Sequence, residues 1–127
     1  MAKILIVDDA VFMRQMLTKI LKTEGFEICG EASNAKEAIE KYKLLKPDLV
    51  TMDIVMPMME ELDGIGALRE IMNFDARANV LIVSVMGQEN LVKKAMEYGA
   101  KDFIFKPFKS ERIIKAVRNA LRKSAER

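Results

Sequence analysis

Near its start the chain runs Lys3-Ile4-Leu5-Ile6-Val7-Asp8-Asp9. An unbroken Val/Ile/Leu run this short is a strand buried on both faces, and such strands belong to parallel sheets covered by helices. The run stops on two carboxylates. Behind it, Phe12, Met13, Met16, Leu17, Ile20 and Leu21 recur at spacings of three and four, which predicts an inward helical stripe that Gly25 ends.

The same alternation continues to the end. Phe26–Ala32 alternates weakly, as an edge strand does. Asn34 with Glu37 three residues on forms a capping box, Ala38, Ile39, Tyr42 and Leu45 give the stripe of the second helix, and Pro47 closes it. Asp48–Met52 is the third strand and runs into Asp53. Asp63 caps a third helix carrying Ile65, Leu68, Ile71 and Met72, and has no chemical role. Asn79–Ser84 is the fourth strand. Leu91, Val92, Ala95 and Met96 mark a helix that Gly99 terminates. Asp102–Phe105 is the fifth strand, and Ser110 caps a last helix with Ile113, Ile114, Val117, Ala120 and Leu121 inward. Five strand–helix repeats predict one α/β domain over residues 1–127, built on a five-stranded parallel sheet with right-handed crossovers.

Composition narrows the chemistry. The 127 residues are 50% hydrophobic, enough for a core, and 21 basic against 19 acidic side chains leave +2. So balanced a charge argues against a nucleic-acid binder. No apolar run is long enough for a membrane span, and the opening MAKILIVDD is no signal peptide, so a cytoplasmic protein is expected. There is no His and only one Cys, Cys29, which excludes His-based catalysis, Cys/His zinc sites and an internal disulfide. Carboxylates, lysines and hydroxyls remain. Of the ten methionines, Met13, Met16, Met52, Met72 and Met96 fall at core spacings as gap-fillers.

Ligands in open α/β sheets lie beyond the carboxyl ends of the strands. There the sequence places Asp8-Asp9 after strand 1, Asp53 after strand 3, Ser84 at the end of strand 4 and Lys106-Pro107 after strand 5. Taken singly, an Asp after a strand is usually a turn residue or a helix cap, and a Lys a solvated charge. Jointly they make a crevice of repelling carboxylates that a hard divalent cation relieves. An oxygen-only ligand set selects Mg²⁺ or Mn²⁺. A carboxylate is also a nucleophile toward phosphorus, and phosphoryl transfer needs cations on the equatorial oxygens. The residue types together fit metal-dependent phosphoryl transfer onto an Asp.

The segments ILIVDDAVFMR, DLVTMDIVMP, SVMGQ and GAKDFIFKPF, in this order and at strand ends, resemble the response-regulator receiver domains of two-component signalling, particularly the stand-alone chemotaxis type. The resemblance spans essentially the whole chain. It implies a flavodoxin-like, doubly wound (βα)5 fold with strand order 2-1-3-4-5. It makes Asp53 the phosphoacceptor, with Asp8, Asp9, Asp53 and the Val55 carbonyl around Mg²⁺. It makes Ser84 and Lys106 the phosphoryl contacts, Phe103 the switch aromatic, and the bond to Pro107 cis. The implied protein is a signalling switch rather than an enzyme, and it catalyses only its own phosphorylation and dephosphorylation. The implied partners are a chemotaxis-type histidine kinase, a flagellar motor switch protein or another downstream protein, and a phosphatase, with a monomer expected. A phosphorelay carrier, or an engineered or chimeric receiver, is the alternative.

One segment departs from the family pattern: Glu60–Leu62 reads as three residues inserted between Met56-Pro57-Met58-Met59 and Asp63-Gly64. The chain also stops at Arg127 after its last helix, so no output domain is expected and output is by protein binding. Lys109–Arg127 carries seven basic residues against two acidic ones, either a solvated face or a dock for an acidic partner.

Overall fold

The computed structural model describes residues 1–56 and 63–125. The five strands are β1 (Lys3–Val7), β2 (Glu27–Ala32), β3 (Leu49–Met52), β4 (Val80–Ser84) and β5 (Asp102–Phe105). They alternate with α1 (Val11–Thr23), α2 (Ala35–Leu45), α3 (Gly64–Phe74), α4 (Glu89–Glu97) and α5 (Ser110–Ala125). The strands form one parallel sheet in the order β2-β1-β3-β4-β5.

Successive strand residues point to opposite faces, and the two faces build two cores. Leu5, Val7, Val50, Met52, Val80, Ile82 and Phe103 pack under α2, α3 and α4. Ile4, Ile6, Leu49, Leu81, Val83 and Ile104 pack under α1 and α5. Strand order reverses between β1 and β3, so the crevice of this sheet opens there.

The helix ends follow their local chemistry. The Asn34 side chain accepts from Glu37 N–H at 2.8 Å, so Asn34 caps α2 as expected, while the Glu37 carboxylate reaches one residue further back than in a capping box and accepts from Ser33 N–H. The Asp63 side chain accepts from Gly66 N–H at 2.9 Å. Gly25 and Gly99 take φ of +89° and +109°, a left-handed region that penalises any Cβ, and both stand just past a helix.

Some expectations need correcting. Phe26 stays outside β2 because its N–H bonds back to the Leu21 carbonyl as part of the α1 terminus. Asp48 and Asn79 precede β3 and β4 rather than opening them. Ser110 is the first residue inside α5, not its cap, since the Lys109 carbonyl already accepts from Arg112 N–H. Phe12 lies on the flank of the stripe Met13–Leu17–Ile20–Leu21 and is exposed. Met96 is exposed too, because α4 fully buries only Ala95. The Glu60–Leu62 insertion lies outside the described residues, as do Pro57 and Arg127.

Candidate functional site

Strand register builds the site. Val7 pairs with Met52, so the next residues, Asp8 and Asp53, emerge side by side at the carboxyl edge of the sheet. Both are buried, at 2% and 4% exposure, while Asp9 faces solvent. Carboxylate oxygens of Asp8, Asp9 and Asp53 all lie within 4.8 Å of one another. Lys106 follows β5 and reaches across, with Nζ 2.6 Å from Asp8 Oδ2 and 3.4 Å from Asp53 Oδ2.

Each buried carboxylate has further donors. Asp8 Oδ1 accepts from Ala10 N–H at 2.9 Å, and Asp53 Oδ1 accepts from Val55 N–H at 3.2 Å. Burial pushes the Asp53 carboxyl above its ordinary range. Lys106 pulls it back down, and the neighbouring Asp8 charge pushes it up again. Lys106 thus offsets part of the charge that Asp8, Asp9 and Asp53 gather there. Oxygen-only donors so crowded fit a hard divalent cation and offer no thiolate or imidazole to a softer one.

The other expected residues take distinct places. Ser84 is fully buried at the end of β4, where its Oγ accepts from Met86 N–H at 3.2 Å and its carbonyl from Lys106 N–H at 2.9 Å. Ser84 is therefore tied to the Lys106 backbone rather than to the carboxylates. Val55 is half-exposed beside Asp53. Phe103 is buried in the core, its ring 5.3 Å from that of the exposed Phe105. The Lys106–Pro107 peptide bond is cis.

Two residues that the sequence reading passed over complete the site. Arg14 Nη1 donates to the Asp8 carbonyl at 2.6 Å. Its only sequence signal is an Arg among the apolar spacings of the first helix. Gly64, read only as a helix start, lies where a Cβ would come 2.0 Å from the Asp53 carbonyl oxygen and 2.6 Å from Ile54 Cα. No larger residue lets α3 begin so close behind Asp53.

Among curated proteins, the chain is 53% identical over 115 residues to the chemotaxis protein CheY of Thermotoga maritima, covering 91% of this chain and 93% of that one. It is 53% identical over 119 residues to CheY of Bacillus subtilis, covering 94% and 97%. Among solved structures, it superposes with a TM-score of 0.87 on a chain of the CheX-CheY-BeF3-Mg complex of Borrelia burgdorferi, at 43% identity, covering 93% of this chain and 87% of that one. Residues 4–118 match the response regulator receiver domain, and the chain belongs to that family of phosphoryl-accepting signalling switches.

Proposed function

We propose that Asp53 accepts a phosphoryl group from a phosphohistidine on a partner kinase, and that the domain then switches a protein-binding face in chemotactic signalling. The observation that carries this reading is the convergence of the Asp8, Asp9 and Asp53 carboxylates within 4.8 Å, with Lys106 bridging two of them. The donor imidazole comes from elsewhere, since this chain has no His.

An Asp53 carboxylate oxygen attacks phosphorus as the P–N bond breaks and its electron pair leaves with the imidazole. Asp8, Asp9, Asp53 and the Val55 carbonyl would hold Mg²⁺, or Mn²⁺ in its place, which when bound neutralises charge on the phosphoryl oxygens. Lys106 shifts from Asp8 toward the new anion. The Ser84 hydroxyl leaves Met86 N–H to donate to a phosphoryl oxygen, and the loops after β4 and β5 move with them. Phe103, between those loops and the core, passes the change to the face of α4, β5 and α5. That face carries Lys115, Arg122 and Lys123 exposed to solvent, which suits an acidic segment of a downstream protein.

The chemotaxis assignment rests on the two CheY relatives. A motor switch protein is the expected output partner, a CheX-like protein is a further candidate partner by analogy with the Borrelia complex, and a separate phosphatase is expected to reset the switch. The reading places the domain in the cytoplasm, as a monomeric receiver. No helix among the described residues is long and apolar enough to cross a membrane. Incubation with a labelled phosphohistidine kinase tests the reading. Label should pass to this chain with Mg²⁺ and not with EDTA, and transfer that is indifferent to EDTA counts against it.

A further inference from the structure

The backbone of Asp8 is held as firmly as its side chain. Its N–H donates to the Ala32 carbonyl in β2 at 3.0 Å, and its carbonyl accepts from Arg14 Nη1 at 2.6 Å. Arg14 Nε in turn donates to Glu31 Oε1 at 2.8 Å. Both backbone groups of Asp8 therefore end on consecutive residues of the edge strand, one directly and one through a guanidinium. The Arg14 N–H also bonds the Ala10 carbonyl at 3.1 Å, which stitches the 8–10 turn to the first turn of α1. Lys41 of α2 hydrogen-bonds the Glu31 carbonyl and pairs with Glu37 at 3.3 Å, so α2 braces the same point of β2.

The exposures rank these contacts. The Glu31 side chain is 48% exposed, so its pairing with Arg14 is screened and modest. The Arg14 side chain is only 16% exposed, and its bond to the Asp8 carbonyl is short and charge-assisted. The guanidinium thus fixes the turn from which the Asp8 and Asp9 carboxylates project.

We propose that Arg14 is a positioning residue for the divalent-cation site, with Glu31 orienting it. The inference rests on the reading of Asp8, Asp9 and Asp53 as that site. Groups that orient a metal's ligands set affinity although they never touch the metal, and their loss costs roughly ten- to a hundredfold. A brace for the fold alone would lower the melting temperature and leave cation affinity where it was.

The test is calorimetric titration of Mg²⁺ alone into the full chain, at a temperature where every variant is folded, with melting curves in EDTA alongside. Arg14→Met should bind Mg²⁺ about tenfold or more weakly. Arg14→Lys keeps a donor within reach of the Asp8 carbonyl but loses the fork to Glu31, and should fall between that variant and the wild type. Glu31→Gln should weaken binding about twofold, as befits a screened pair. Arg14→Met binding within about twofold of the wild type overturns the inference. If Arg14→Met does not fold, wild-type affinity in both Arg14→Lys and Glu31→Gln overturns it instead. A wild-type chain that takes no Mg²⁺ removes the cation site itself, whereas a binding wild type with unaffected variants removes only the role of Arg14.

Discussion

Lys106 Nζ lies closer to Asp8 Oδ2, at 2.6 Å, than to Asp53 Oδ2, at 3.4 Å. The lysine therefore rests on the carboxylate that is not the proposed phosphoacceptor and keeps a weaker hold on the one that is. It neutralises a buried pair without capping Asp53, whose second oxygen accepts from the Val55 N–H.

Removing this cation leaves two buried carboxylates facing each other. Lys106→Gln should destabilise the metal-free protein by about 3 kcal/mol, the usual cost of unpairing a buried ion pair. Mg²⁺ should restore much of that loss, because a divalent cation replaces the missing charge. Urea melts with EDTA and with Mg²⁺ measure both, and an equal loss in the two conditions would refute this electrostatic origin.

Asp53 is an acid whose folded pKa is raised, chiefly by burial. Such a group costs nothing when protonated in both the folded and unfolded states. The cost appears as pH rises from the ordinary carboxylate value through the raised folded one. Asp53→Asn should therefore stabilise the metal-free protein at neutral pH by about 1 kcal/mol, roughly 3–5 °C in melting temperature. The gain should vanish on acidification below the ordinary carboxylate range. Melting curves in EDTA across pH check it; a gain that persists in acid contradicts the assignment.

Asp102 behaves in the opposite sense. Burial alone would raise its carboxyl, but the Arg112 guanidinium at 2.9 and 3.1 Å and the Phe103 N–H outweigh burial and hold it below the ordinary value. Its contribution is present above the unfolded carboxylate pKa and disappears as pH falls through the folded one. Asp102→Asn should cost about 0.5–1 kcal/mol at neutral pH, the range of a half-exposed pair, and nothing in strong acid. Paired melts of the two proteins at both pH values read this directly.

Gly64→Ala places a methyl against the backbone of Asp53 and Ile54, neither of which is a yielding side chain. A cost of about 2–3 kcal/mol is expected, with slowed phosphorylation because Asp53 itself must move. Gly25→Ala, where nothing lies within 4 Å and only the positive φ resists, should cost stability alone. Equal phosphorylation rates in both variants would separate Gly64 from the site.

The sheet, its edge strand and the cluster of polar strand ends were legible in the sequence because buried parallel strands carry an unbroken apolar signal that stops abruptly at Asp8, Asp53 and Ser84. The order of the strands came only from the family resemblance, since crossovers leave no periodic trace. Phe12 and Met96 were misread because helical spacing marks a stripe but not its edges, and α4 fully buries only a single alanine. Arg14 and Gly64 were passed over for a different reason. Their roles depend on backbone atoms of other elements, the Asp8 and Asp53 carbonyls, which no side-chain pattern reveals.

The central claim is that Asp53 carries the phosphoryl group. Intact-mass measurement after incubation with acetyl phosphate and Mg²⁺ tests it most directly. The wild type should gain a single phosphoryl mass with Mg²⁺ and none when EDTA is present from the start, and Asp53→Asn should gain none. An adduct of equal yield on Asp53→Asn would contradict the account.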